Sequence, residues 1–292
     1  MKKILKFILL PGLILLLIFS WRNGSNPSSL IDNYTKENNF NCPVVYVYNL
    51  TTDKTELDIN GGKKRPPASL TKMMTVYCSL NSIRDLSSPA YIDGESRREI
   101  VKEDGSIAGF CEGEQVTLRD LLYGTMLPSG GECADSLAVN LSGSTENFVS
   151  IMNGTAKDLG MKHTCYCNPD GMDQHGQYTT ARDQAKFLKA ALQDENFRAI
   201  FTTPDYLSTP TYTHPQGLYM KSTVLSTIDP EMETGFTILG GKSGSTPKAG
   251  LCWATLAEKN GNEYIIIVMG APFYDRDSLP QREDTLEVLN QL

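Results

Sequence analysis

The hydrophobic period of this chain changes twice, and those changes decide which architectures are open to it. Pro43-Val44-Val45-Tyr46-Val47-Tyr48 is rich in β-branched and aromatic residues, Thr51-Thr52-Asp53 has turn chemistry, and Glu56 to Ile59 can return as a second strand. A hairpin therefore opens the folded part. Toward the other end, Phe236 to Leu239, Leu251 to Ala257 and Tyr264 to Met269 are three further apolar runs, the last two joined by Asn260-Gly261, a strong tight-turn dipeptide. Between the ends the steps are helical: Leu70, Met73, Met74, Tyr77 and Leu80; Leu118, Leu121, Leu122 and Met126; Phe187, Leu188, Ala191 and Leu192. Leu286, Val288 and Leu289 can set a closing helix, Leu286 to Leu292, against the sheet. The expected fold is α+β: an antiparallel sheet built from both ends of the chain with flanking helices, plus an inserted, mainly helical lobe at about residues 80–230. Such an arrangement leaves a cleft where the two lobes meet.

A chain of 292 residues with 40% apolar content can bury such a core as one large domain or two closely packed lobes. Its formal net charge of -7, and the lack of a Lys/Arg cluster beyond Lys63-Lys64-Arg65, argue against nucleic acid as a partner. Lys2, Lys3 and Lys6 precede an apolar run from Phe7 to Trp21, the layout of an export signal, and no small-x-small cleavage site follows it. Residues 1–22 read as a signal peptide or an N-terminal membrane anchor, 23–41 as a polar tether, and 42–292 as the folded domain. The destination is extracytoplasmic, with the protein secreted or held on the outer face of the cytoplasmic membrane. Seven cysteines form no Cys-x-x-Cys pair and define no disulfide framework; Cys78 and Cys252 sit in apolar patterns and read as core.

The chemistry is concentrated at Pro66-Pro67-Ala68-Ser69-Leu70-Thr71-Lys72. The prolines hold the approach to a helix, the helical period places Ser69 in its first turn, and Lys72 then lies on the same face, close enough for its amine to reach the hydroxyl. A serine hydroxyl is a poor nucleophile at neutral pH, and a lysine can activate it once burial or nearby cations lower the amine pKa. Free N–H groups at the helix start can receive an oxyanion. Ser-x-x-Lys alone is weak, since average usage gives roughly one chance match in a chain this long. Two more elements in order raise its weight. Ser129-Gly130-Gly131 stands between two helical patterns, and Lys242-Ser243-Gly244 follows the run Phe236 to Leu239. A second lysine and hydroxyl can relay a proton and hold a carboxylate, and Gly244 lets backbone approach a bound acyl group.

With these motifs the chain resembles the serine D-alanyl-D-alanine carboxypeptidases among the penicillin-binding proteins, whose signature is Ser-x-x-Lys, Ser-x-Asn and Lys-Thr-Gly. The resemblance runs from about Val44 to Met269 and takes in Ala68 to Thr75, Asn168-Pro169-Asp170-Gly171-Met172 and Tyr178-Thr179-Thr180-Ala181-Arg182-Asp183. It implies a fold of the β-lactamase/DD-peptidase kind, no metal or other cofactor, and removal of D-alanine from peptidoglycan stem peptides, with β-lactams as covalent inhibitors. It further implies Ser69 as nucleophile, Lys72 as its proton acceptor, and Ser129 in proton transfer to the leaving D-alanine. Lys242 and Ser243 would orient the substrate carboxylate, and the N–H groups of Ser69 and Ser245 would form the oxyanion hole, with Gly244 beside it.

Two positions depart from the pattern. Lys-Ser-Gly keeps the hydroxyl of Lys-Thr-Gly. Gly131 stands where the family has Asn, and glycine has no amide for the substrate's peptide group unless Glu132 or another side chain substitutes. A catalytically weakened penicillin- or peptide-binding sensor is therefore the alternative function, with a β-lactamase behind it for want of a loop glutamate to activate water. His163 and Asp170 match the first two ligand positions of metal-dependent peptidases that cut the same bond. Met172 and Thr211 stand where the third element needs Glu, so His163 reads as structural. The family's larger members carry a C-terminal β-domain with an amphipathic helix; 292 residues leave no length for either, so membrane contact is expected at the N-terminal segment.

Overall fold

In the computed structural model, which describes residues 40–232, 235–274 and 278–292, the chain runs β1 (Val44–Asn49), β2 (Lys54–Ile59), α1 (Thr71–Ser82), β3 (Pro89–Tyr91), α2 (Gly94–Lys102), β4 (Gln115–Thr117), α3 (Leu118–Met126), α4 (Gly131–Ser142), α5 (Thr145–Asp158), α6 (Ala181–Ala191), α7 (Glu195–Thr202), β5 (Asp205–Leu207), β6 (Tyr219–Lys221), β7 (Thr237–Thr246), β8 (Gly250–Lys259), β9 (Asn262–Ala271) and α8 (Pro280–Gln291). The expected signal or anchor, residues 1–22, and tether positions 23–39 lie outside the described residues.

Both chain ends enter one antiparallel five-stranded sheet, ordered β2-β1-β9-β8-β7. Val45 pairs with Val268 across the β1–β9 junction, where the start of the chain meets its end. The Asn260-Gly261 turn closes β8 onto β9 with Lys259 opposite Asn262; both turn residues take positive φ (53° and 74°), as a two-residue hairpin of matching twist requires. Within β9, Tyr264 to Met269 is apolar without interruption because both faces of the sheet are covered there. Ile265, Ile267 and Met269 join the core beneath the helices, while Ile266 and Val268 pack with Trp253, Val288 and Leu289 under α8. Asp284 of α8 accepts from the backbone N–H groups of Asn41 (2.9 Å) and Cys42 (2.6 Å), which fastens the first described residues to the last helix.

Helix α1 is buried along most of its circumference, and its polar side chains are tied to neighbouring backbone: Thr75 Oγ1 donates to Pro169 O (2.6 Å) and Ser79 Oγ to Thr75 O (2.8 Å). Around it α3 starts with a capping box, Thr117 and Asp120, and α6 with Thr180 accepting from Asp183 N–H. Two short antiparallel strand pairs, β3–β4 and β5–β6, border the helices, with α2 lying between β3 and β4 in the chain.

Candidate active site

The backbone delivers Ser69 before side chains act. Arg65 and Thr179 exchange hydrogen bonds (2.9 and 2.8 Å), clamping the chain just ahead of Pro66-Pro67 onto the start of α6. Ala68 then takes φ +49°, outside helical space, so Ser69 sits in a 3-10 turn, Ala68–Leu70, ahead of α1 rather than in the helix's own first turn. The sequence expectation is corrected by one turn of backbone. Lys72, the second residue of α1, still reaches: its Nζ is 3.2 Å from Ser69 Oγ. Nζ also donates to the main-chain carbonyl of Asp170, within the Asn168–Met172 segment.

Two segments close on this turn, each at a glycine. A Cβ on Gly171, at φ +86°, would lie 2.1 Å from Ala68 O, and one on Gly244 of β7 would lie 3.0 Å from Ser69 N. No larger residue fits at Gly171 without displacing the nucleophile turn, and a side chain on Gly244 would push the sheet edge from Ser69. Nearby, Asn168 Oδ1 accepts from Gly171 N–H (2.8 Å), and Asp173 accepts from Thr246 Oγ1 (2.7 Å), tying the loop to β7.

The remaining motif residues converge from two directions. Ser129 lies between α3 and α4 in the left-handed region (φ +68°), and its Oγ is 2.8 Å from Lys242 Nζ on β7. Lys242 also donates to Ser243 O (2.8 Å), and Ser243 Oγ pairs with Thr223 Oγ1 at 2.7 Å. Ser245 is exposed on the same strand. Thr223, which sequence reasoning missed, lies in a loop after β6 with no motif to mark it.

Burial sets the electrostatics. Lys72 is buried, and desolvation holds its amine below the usual lysine range against the attraction of Asp170, Asp135 and Glu132. Lys242 is fully buried; desolvation, then repulsion from Lys72, hold it well below that range. Both amines beside the two hydroxyls therefore give up a proton more readily than a solvated lysine does. Asp135 and Asp170 line an adjoining acidic cavity with Glu99 and Glu103, and burial, then the Asp170 charge, push the Asp135 carboxyl well above the usual range.

At Gly131 the structure answers the question raised by the missing amide. An added Cβ would meet Ile100 Cδ1 at 2.8 Å, so Ile100 of α2 fills the space where a side chain would begin. Glu132 does not substitute: it is buried, and its Oε1 accepts from the N–H groups of Ala108 (2.7 Å) and Gly109 (3.0 Å). Asp170 offers its main-chain carbonyl to Lys72 and its carboxylate to Met172 N–H (2.6 Å), while His163 is exposed, its backbone N–H bonded to Asp183 (2.7 Å). All seven cysteines are free thiols, with Cys78 and Cys252 buried as expected.

The arrangement can acylate a serine beside a buried amine, and comparison with known proteins points the same way. The family profile described as D-alanyl-D-alanine carboxypeptidase matches residues 37–273. The D-alanyl-D-alanine carboxypeptidase of Streptomyces sp. strain K15 is 30% identical over 259 residues, 84% of each chain. DacF of Bacillus subtilis, of the same name, is 31% identical over 222 residues, 75% of this chain but 55% of the relative, so the chain spans about half the length of that relative. The crystal structure of the Streptomyces K15 DD-transpeptidase superposes with a TM-score of 0.76 at 29% identity, covering 86% of this chain and 96% of that one. With the family profile covering most of the chain and the three motifs gathered around Ser69, the chain belongs to the D-alanyl-D-alanine carboxypeptidase family of serine peptidases.

Proposed function

We propose that the chain is an extracytoplasmic serine D-alanyl-D-alanine carboxypeptidase that removes the terminal D-alanine of peptidoglycan stem peptides. The observation that carries this reading is the 3.2 Å approach of the buried Lys72 amine to Ser69 Oγ, with the Lys242–Ser129 pair on the same seam. Ser69 Oγ attacks the carbonyl carbon of the penultimate D-alanine and passes its proton to neutral Lys72. The negative oxygen so formed accepts from the N–H groups of Ser69 and Ser245. The C–N bond breaks as the leaving amine takes a proton through Ser129, backed by Lys242, and water later hydrolyses the ester on Ser69. Because Lys242 is fully buried, direct contact with the terminal carboxylate falls to the half-buried Ser243 and Thr223 hydroxyls, with Lys242 ordering Ser129 and the strand. A β-lactam enters the same route as a covalent inhibitor. Residues 1–22 would carry export or membrane contact; no described helix is long and apolar enough to cross a membrane.

One observation favours a second reading. With Gly131 backed by Ile100 and Glu132 committed to Ala108 and Gly109, no amide or carboxylate at these two positions meets the substrate, which suits a slow penicillin- or peptide-binding sensor. Incubating the full chain with a fluorescent penicillin and with a peptide ending in D-Ala-D-Ala separates the two. The carboxypeptidase labels on Ser69, releases D-alanine with or without a chelator, and loses both activities in Ser69→Ala. Labelling without release supports the sensor, and rapid loss of label supports a β-lactamase.

A further inference from the structure

Away from this seam, two turns bring three metal-ligating side chains together. Cys111 and Glu114 stand at the ends of one turn, closed by Glu114 N–H donating to Cys111 O (3.1 Å) and shaped by Gly113 at φ +71°. His214 ends a second turn, in which Thr211 N–H donates to His214 O (3.0 Å) and His214 N–H to Thr211 Oγ1 (2.9 Å). One donor atom from each of Cys111, Glu114 and His214 lies within 4.8 Å of the other two. Glu114 is buried, while Cys111 and His214 are half-buried.

We propose that Cys111, Glu114 and His214 bind one zinc ion that staples the loop before β4 to the loop between β5 and β6. A thiolate, an imidazole and a carboxylate suit zinc, whereas calcium and magnesium take oxygen donors. Tetrahedral zinc, with bonds of about 2.0–2.3 Å, holds its donors roughly 3.3–3.5 Å apart, so side-chain shifts of about 1 Å close the site. Glu114 Oε1 now lies 2.8 Å from His214 Nδ1, and the ion takes the place of the hydrogen between them. The supporting contacts are in place. Glu114 Oε2 accepts from Cys111 N–H (2.7 Å), Thr211 Oγ1 donates to Glu114, and the Phe110 ring stands edge-on to the imidazole at 6.1 Å. A groove lined by Glu112, Glu114, Thr211, Tyr212 and Thr213 gives water access as fourth ligand. Binding releases the Cys111 thiol proton to solvent.

The staple bears on the Ser129 wall through the same loop. Ser106 O accepts from Gly131 N–H (2.8 Å), and the Ala108 and Gly109 amides hold Glu132, so bracing residues 105–114 braces the start of α4. The ion touches no reacting atom, and the proposal is independent of the acyl-transfer reading.

The full chain, kept reduced, stripped with a chelator and titrated with zinc, tests this. One zinc per chain should survive dialysis and raise Tm by about 5 °C at saturation. Cobalt in its place should give a thiolate charge-transfer band, and Cys111→Ser and His214→Ala should each abolish the stoichiometric ion and the Tm rise. Should a variant fail to fold, zinc must still slow alkylation of Cys111 in the unsubstituted chain, read by peptide mapping. Sub-stoichiometric zinc, a cobalt spectrum without the thiolate band, or Cys111 alkylated equally fast with and without zinc would each overturn the site and leave a hydrogen-bonded Glu114–His214 pair.

Discussion

The turn that carries Ser69 and the loop that carries Ser129 face the same seam but are built differently. The Ser69 turn is positioned by backbone. A 3-10 turn leads into α1, Lys72 follows at a spacing the helix dictates, Gly171 closes in where no side chain fits, and Gly244 approaches so closely that a side chain would displace its neighbours. The Ser129 loop is positioned by side chains from elsewhere: Ile100 fills the space beside Gly131, Glu132 is bound to the loop at Ala108 and Gly109, and Lys242 reaches across from β7. Backbone clamping tolerates almost no substitution, whereas side-chain support can be exchanged if its partner changes too. The nucleophile side should therefore fail abruptly, and the Ser129 side should respond to compensation.

The largest effect is expected at Lys72. Lys72→Gln should slow acylation of Ser69 by about 10³-fold, within the range for removal of a positioned base, as read by stopped-flow binding of a fluorescent penicillin. A loss below tenfold would break the contrast, because the nucleophile side would then be tolerant. The pH profile sharpens it. The active form is the neutral amine, present above the pKa, and burial lowers that pKa, so acylation should rise with pH and level off below the ordinary lysine value of about 10.4. A rate that is flat with pH argues against Lys72 as base.

Gly171→Ala comes next. Its Cβ would lie 2.1 Å from Ala68 O on a left-handed backbone, so the variant should lose roughly 2–4 kcal/mol of stability together with penicillin labelling. Urea unfolding followed by labelling measures both; a stable, fully labelled variant would show that the turn can yield.

On the Ser129 side, Gly131→Asn should lose about 1–3 kcal/mol by overpacking against Ile100, and adding Ile100→Ala should recover much of it. A double-mutant cycle should give a coupling of about 0.5–3 kcal/mol; additive losses would mean that the two positions do not share the space. The smallest effect is expected at Thr223→Val, which removes the partner of Ser243 Oγ: KM for the D-Ala-D-Ala peptide should rise about three- to tenfold with kcat nearly unchanged, the loss of one neutral hydrogen bond. A fall in kcat alone would move Thr223 from carboxylate binding to the chemistry.

Most elements that are hard to read in the sequence are short or weakly apolar; α5 is the exception, with Phe148, Met152 and Ala156 at four-residue steps among polar neighbours. Strands β3 to β6 have three residues each, shorter than any alternation can mark. Helix α2 buries only Ser96 and Ile100 and offers no apolar stripe, yet Ile100 is the residue that decides what fits at position 131. Helix α7 does space Phe197, Ile200 and Phe201 at helical steps, but eight residues gave too short a window to separate from loop.

The order of residues alone determined the long strands at both ends, the hairpin at Asn260-Gly261, and the pairing of Ser69 with Lys72, because each depends on spacing within a few residues and on the fixed periods of strand and helix. Only the tertiary structure decided that Ser69 precedes α1 in a 3-10 turn, that Thr223 meets Ser243, that Glu132 serves the loop at Ala108, and that Cys111, Glu114 and His214 converge. The side-chain contacts among these join residues 20 or more positions apart, a hundred for Glu114 and His214, and their geometry follows from how separately formed elements pack, which no local pattern encodes.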